Sequence, residues 1–270
     1  MAHAPHLFVF DVDGTLLSSR LTILPSTRMS VRKLVEDGHR VALASARPPR
    51  SVAELSSELL GEVAEMIALN GAIVGCGDEV YVDYPMPDGA ALAAIRHARE
   101  EGLQLNLYSG WEWLVEEEAQ DIASEARIVG FGPKRVEDLS RHVDRHRLPV
   151  HKLLCLGAEA QVDSYRAWIQ RRELGLTATL SKSTYCEVVD RSVSKAGAVK
   201  TLAERLGFSD DRVIAFGDGE NDLSMIAAAG IGVAMGNAVP AVKQRAQRVT
   251  ADNDSDGIAA ALTELGFVAL

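Results

Sequence analysis

The chain is poor in cysteine: Cys76, Cys155 and Cys186 stand far apart and form no C-x-x-C pair. An odd count at wide spacing fits reduced thiols that serve as small apolar side chains in a cytoplasmic protein. Long apolar runs are also missing, so no segment reads as a membrane span. The first apolar patch, Leu7 to Phe10, ends in acid and is too short for a signal peptide, and export is not expected. Basic charge is scarce as well. A formal net charge of −10 over 270 residues argues against sequence-independent nucleic-acid binding, which needs a basic stripe. It leaves small anionic substrates open, because local charge in a cleft outweighs the total. No low-complexity tract, fixed-period repeat or Gly/Ser-rich linker is found, and Gly71, Gly75 and Gly77 do not make the G-x-G-x-x-G dinucleotide pattern.

With 47% apolar and 24% charged residues, the chain can bury a sizeable core in one large or two smaller domains. The stretch LFVFDVDGTL, from Leu7, is an apolar run that stops abruptly in Asp11-Val12-Asp13-Gly14-Thr15. Such a run reads as a buried strand delivering carboxylates to its C-terminal edge, where open α/β sheets put their chemistry. On a continuing strand Asp11 and Asp13 share a side. Two close carboxylates need a proton, a partner or a metal, and a hard cation such as Mg²⁺ prefers oxygen ligands.

The spacing of Met29, Val31, Leu34 and Val35 predicts a helix over 26–37, stopped at Gly38. RVALAS (40–45) reads as a second buried strand, Ser51 as the cap of a helix carrying Val52, Leu55 and Leu59, and EMIAL (65–69) as a third strand ending in Asn70-Gly71. This β-α-β-α-β order favours a parallel sheet. Past residue 72 the texture changes. VYVDYP (80–85) and LQLNLY (103–108) alternate, as half-buried antiparallel strands do. Helices are expected near Leu92 and Ile95, over 136–147 and over 158–173, with a strand at HKLLCLG (151–157) and a closing hairpin from LTATLS and TYCEVVD. After Asp190 the α/β texture returns: helix 194–206, strand RVIAFG (212–217), helix 220–229, strand GIGVAM (230–235), then helices 239–246 and 255–265. The expected architecture is a Rossmann-like parallel-sheet core, residues 1–82 and 190–270, interrupted by an α+β insert at 83–189. His142 and His146 have i, i+4 spacing but sit among Arg and Asp, as on a solvated helix face.

A parallel sheet would gather at one edge the acids of the first strand, Ser45 after the second, Lys195 at a helix start, and Asp218, Asn221 and Asp222 of GDGEND. Two acid-bearing strand ends can close a Mg²⁺ site, and Ser45, Lys195 and backbone N–H groups can donate to phosphate oxygens.

DVDGT, SARP, VSKAGAV and GDGEND, in that order, resemble the four motifs of the haloacid-dehalogenase superfamily. Asn70-Gly71, Gly236-Asn237-Ala238 and Asp256-Gly257-Ile258 resemble its Cof-type branch of Mg²⁺-dependent phosphatases, and the insert resembles that branch's large α/β cap. The resemblance implies that Asp11 attacks phosphorus to give an aspartyl phosphate and that Asp13 is the general acid and then the base. It implies further that Val12, Ser45, Ala46, Lys195 and Asn221 hold the phosphoryl group. Asp11, Asp218 and the Asp13 carbonyl would hold Mg²⁺, with Asp222 orienting Lys195 or metal water. Substrates would be small phosphorylated metabolites of the sugar phosphate, pyridoxal phosphate or flavin mononucleotide type, contacted by Arg47, Asn70, Gly71, Trp111 or Trp113. The enzyme would be cytoplasmic, without nucleic-acid or membrane partners, and a monomer or weak homodimer. The second motif departs from the branch's usual T-G-R-P, because Ala46 adds a methyl where Gly allows positive φ. A phosphomutase uses the same aspartyl phosphate. A phospho-accepting signalling module also phosphorylates an Asp beside Mg²⁺, but the insert and GDGEND disfavour it.

Overall fold

Leu7–Asp11 forms strand β1, and all five residues are buried, as expected of a strand covered on both faces. The computed structural model describes residues 4–117 and 120–269. After β1 come α1 (Pro25–Glu36), β2 (Arg40–Ala44), α2 (Pro49–Leu60), β3 (Glu65–Ala68), β4 (Ile73–Cys76) and β5 (Glu79–Asp83). The middle of the chain forms α3 (Asp88–Glu100), β6 (Gln104–Ser109), β7 (Glu112–Val115), α4 (Gln120–Val129), β8 (Lys134–Arg135), α5 (Leu139–His146), β9 (Lys152–Leu156), α6 (Glu159–Arg171), β10 (Leu176–Lys182) and β11 (Tyr185–Asp190). The last part forms α7 (Lys195–Leu206), β12 (Val213–Gly217), α8 (Leu223–Ala228), β13 (Ile231–Ala234), α9 (Pro240–Arg245), β14 (Arg248–Val249) and α10 (Gly257–Glu264).

Two compact units result. One comprises the chain up to Arg47, Val52–Val82 and the chain from Ser194; the other comprises Pro48–Ser51 and Asp83–Val193. The first unit holds an eight-stranded sheet in the order β14-β13-β12-β1-β2-β3-β4-β5. Pairings from β14 through β3 are parallel, and β4 runs antiparallel to β3. The chain leaves β1 for β2 on one side and returns to β12 on the other, so a topological switch point lies at β1. Leu7 and Val9 pack with Ala42, Ala44, Val199, Leu202, Ala215 and Ile226. Burial of each large apolar side chain contributes about 1.5–3 kcal/mol. Phe10 stacks on Phe216, centroids 4.9 Å apart, which ties β1 to β12 beside the acids they carry.

The second unit holds a six-stranded sheet, β10-β11-β9-β6-β7-β8, antiparallel except for β7 with β8. Leu105, Leu107, Leu114, Leu153, Cys155, Cys186 and Val188 alternate onto one face and pack against Ala94, Ile95, Val143, Val162 and Ile169 of α3, α5 and α6. Cys155 and Cys186 face each other across β9 and β11, and burial pushes both thiols above their usual pKa, Cys186 to about 12.

The strand in VYVDYP is β5, beside β4 in the first sheet. One local expectation is corrected. α2 begins at Pro49 rather than after Ser51, because a proline's missing N–H costs nothing in a first helical turn. α4 and the two-residue strands β8 and β14 carry no pattern that announces them.

Candidate active site

Asp11 is the last residue of β1 and is 5% exposed. Beyond it the chain turns at once: the Leu16 and Leu17 N–H groups donate to the Asp11 and Val12 carbonyls at 3.1 and 2.9 Å. Gly14 makes that turn possible at φ 83°, and a Cβ there would stand 2.5 Å from Asp218 Oδ2. Asp218 follows β12, the neighbour of β1, and its Oδ1 accepts a 2.7 Å bond from the Thr15 hydroxyl. Asn237 Nδ2 donates to the Gly14 carbonyl at 2.8 Å, holding the same turn from another side.

Lys195, 1% exposed, opens α7, whose N-cap Ser194 accepts from the Gly197 N–H. Its ammonium donates to Asp11 Oδ1 at 2.5 Å and to Asp222 Oδ1 at 2.6 Å. Asp222 Oδ2 accepts the N–H groups of Asp218 at 3.0 Å and Gly219 at 2.9 Å. Asp222 thus fixes both the lysine and the loop bearing Asp218. One carboxylate oxygen each from Asp11, Asp218 and Asp222 lie within 4.8 Å of one another.

Two buried carboxylates and a half-buried one against one ammonium leave uncompensated negative charge. Burial, and then Asp222, raise the Asp11 pKa well above the usual carboxylate range, although Lys195 opposes them. Burial also lifts Asp218 to about 6, with Asp222 adding to it against the Thr15 bond. Burial works against charge on Lys195, but Asp11 and Asp222 outweigh it and hold the amine above its usual pKa. An all-oxygen cluster with surplus negative charge suits a hard divalent cation.

Asp13 points elsewhere. Its Oδ2 and Oδ1 accept from Arg47 Nε at 2.9 Å and a terminal guanidinium nitrogen at 2.6 Å, a bidentate pair. Ser45, 1% exposed after β2, accepts the Arg47 N–H on its Oγ at 3.1 Å.

The haloacid dehalogenase-like hydrolase family model matches residues 8–262. YkrA of Bacillus subtilis is 33% identical over 264 residues, spanning 97% of this chain and 98% of that one. The 5-amino-6-(5-phospho-D-ribitylamino)uracil phosphatase YitU of the same organism is 27% identical over 286 residues, 98% of each chain. A haloacid dehalogenase-like hydrolase from Bacteroides thetaiotaomicron superimposes with a TM-score of 0.88 at 30% identity, covering 97% of this chain and all of that one. This chain belongs to the haloacid dehalogenase-like hydrolases. It is an enzyme of the phosphatase type found in that family.

Membership frames the remaining residues. Asp11, Ser45, Lys195, Asp218 and Asp222 come together at the strand ends as the motif order suggested. Val12 is buried beside them, and Ala46 is not among the residues with positive φ, so its methyl forces no left-handed backbone. Asn221 Nδ2 donates to Asn70 Oδ1 at 3.2 Å. Arg47 is engaged with Asp13 rather than free to reach outward. Trp111 and Trp113 lie in the second unit. Trp113 is 1% exposed, its indole N–H donates to Asn106 Oδ1 at 3.0 Å, and its ring stacks on Tyr108, so it is a packing residue. Trp111 is 37% exposed. Thr15 and Asn237 escaped the residue-by-residue reading although both lie inside quoted motifs. Their partners, Asp218 and the Gly14 carbonyl, are more than 200 residues away in sequence.

Proposed function

We propose that the chain hydrolyses small phosphomonoesters, with Asp11 as nucleophile, Asp13 as acid and base, and Mg²⁺ as the cation. The observation that carries this reading is the buried Asp11–Lys195–Asp222 chain of charge-assisted bonds beside Asp218. In the first step an Asp11 carboxylate oxygen bonds to phosphorus while the bond to the leaving oxygen breaks, and that oxygen takes a proton from Asp13. In the second step Asp13 takes a proton from water, the water oxygen bonds to phosphorus, and Asp11 leaves with inorganic phosphate free. Lys195 balances the negative charge gathered at Asp11 and the phosphoryl oxygens. Ser45 spends an acceptor site on the Arg47 N–H, which leaves its hydroxyl proton to donate to the phosphoryl group together with the Val12 and Ala46 N–H groups and Asn221. Asp11, Asp218 and the Asp13 carbonyl would hold the ion. Bound there, it would neutralise the repulsion between an anionic nucleophile and an anionic phosphate. Arg47 holds the Asp13 carboxylate in one orientation, a division of labour that suits phosphoryl transfer, where catalysis is mostly positioning and charge stabilisation.

Small phosphorylated metabolites are the substrate class, in keeping with the substrate in YitU's name. The insert, 83–189, is the part that sets substrate choice, and Trp111 is its candidate contact, being partly exposed. Phosphate release from p-nitrophenyl phosphate and a panel of phosphorylated metabolites, with Mg²⁺ and with EDTA, tests the reading. Metal-dependent release that disappears in Asp11→Ala is the expected result. Undiminished turnover in chelator, or in Asp11→Ala, would refute the mechanism.

A further inference from the structure

Three residues after β3, Leu69, Asn70 and Gly71, all lie in the left-handed region, with φ of 51°, 61° and 106°. Asn tolerates that conformation better than most residues and Leu does not, so the turn persists only because its surroundings hold it. The Asn70 and Leu69 N–H groups donate to the carbonyls of Ser45 at 2.9 Å and Arg47 at 3.0 Å, latching the turn to the loop of the second motif. Gly71 lies against the start of α7, where a Cβ would stand 2.7 Å from the Ser194 carbonyl oxygen, one residue before Lys195. The Asn70 side chain receives the Asn221 amide. A turn without a charged group therefore touches the loops bearing Ser45, Lys195 and Asn221.

We propose that Asn70 is a positioning residue that aims the Asn221 amide at the phosphoryl oxygens. The proposal rests on the phosphatase reading and deepens it. Asn221 is exposed on a single 3-10 turn, Glu220–Asp222. A carboxamide has a donor end and an acceptor end, and only the donor end suits a phosphate. By accepting one Nδ2 hydrogen, Asn70 Oδ1 selects the orientation that leaves the second Nδ2 hydrogen to donate. The flipped amide would set an oxygen against an oxyanion.

The test uses Asn70→Gly, which suits left-handed φ and removes the acceptor, with Asn70→Ser as a second deletion should the glycine variant melt early. KM and kcat for p-nitrophenyl phosphate and Ki for inorganic phosphate are measured in each, in Asn221→Ala and in the Asn70→Gly/Asn221→Ala double variant. The expected result is a rise of about 10-fold in both KM and Ki, the scale of one hydrogen bond to a charged group, with a much smaller change in kcat. Adding Asn70→Gly to Asn221→Ala should change nothing further. Unchanged KM and Ki in an active Asn70→Gly enzyme overturns the inference and spares the phosphatase reading. So does a full Asn70→Gly effect on the Asn221→Ala background, or a loss confined to kcat. A wild-type protein that neither hydrolyses phosphomonoesters nor binds phosphate overturns both.

Discussion

Arg47 and Asp13 form a motif pairing with one buried and one half-exposed partner, side chains 8% and 45% exposed. In the proposed role of acid and base, Asp13 would be worth about 10²–10⁴-fold in rate. If Arg47 orients it, Arg47→Met, checked for a cooperative melting transition, should lower kcat by about 10-fold or more, while Asp13→Asn loses the full factor. Combining the two should cost little beyond Asp13→Asn alone, because an orienting residue has nothing left to orient; additive losses in the cycle would show that Arg47 acts elsewhere. The acids, Ser45 and Lys195 were legible in the sequence because each closes an apolar strand or opens a helix, a local pattern. Side-chain partners were not. Nothing in SARP says whether Arg47 turns toward Asp13 or outward, and nothing in WEWLVEE says that Trp113 pairs inward with Asn106 while Trp111 stays partly exposed. Those choices are made by residues brought close only after folding.

At the level of elements, the turn after β1 depends on a glycine for two separable reasons, conformation and space. Gly14 and Gly38 have nearly the same φ, 83° and 85°, but a Cβ at Gly38 meets nothing within 4 Å whereas one at Gly14 strikes Asp218. Gly38→Ala should cost only the left-handed backbone penalty, about 1–2 kcal/mol, and keep its activity. Gly14→Ala must also displace Asp218, so it should lose metal-dependent activity by a larger factor than its stability loss explains. Equal activity in the two folded variants would remove Asp218 from the site. The same separation explains which elements the sequence disclosed. β1, β2 and β12 are unbroken apolar runs ended by acid or a small residue, and the long helices repeat apolar positions at helical spacing. β4 turns back antiparallel on a sheet that opens parallel, with β5 beside it, and an alternating strand reads the same whether it joins that sheet or a new one. β8 and β14, two residues each, are too short to repeat any pattern and owe their strand geometry to their neighbours.

On the scale of the whole molecule, the acid cluster works against the fold that holds it. The chain carries a net charge of −10, and Asp11 and Asp218 have folded-state pKa values above the ordinary carboxylate value, Asp218 near 6 against 3.8. A raised carboxylate pKa means that the folded form binds more protons than the unfolded form between those values. The slope of stability with pH is then negative: the Asp218 contribution falls as pH rises from about 4 through 6, and the raised Asp11 acts in the same direction. In the proposed metal site a divalent cation would take the place of the missing protons; binding only the folded form, it would add about 2.7 kcal/mol when present at 100 times its dissociation constant. Thermal melts at pH 7.5 and pH 5, each with Mg²⁺ and with EDTA, measure both effects. The expected outcome is a clear upward shift of the melting temperature with Mg²⁺ at pH 7.5 and a smaller one at pH 5, where protons compete for the same oxygens. In Asp218→Asn the charge that the ion neutralises is reduced, so the EDTA curve should rise toward the wild-type Mg²⁺ curve while the Mg²⁺ shift shrinks. A shift that is the same at both pH values, or absent at pH 7.5, would mean that Asp11 and Asp218 do not hold the cation, and that Asp11 is balanced by Lys195 and Asp218 held by the Thr15 hydroxyl without one.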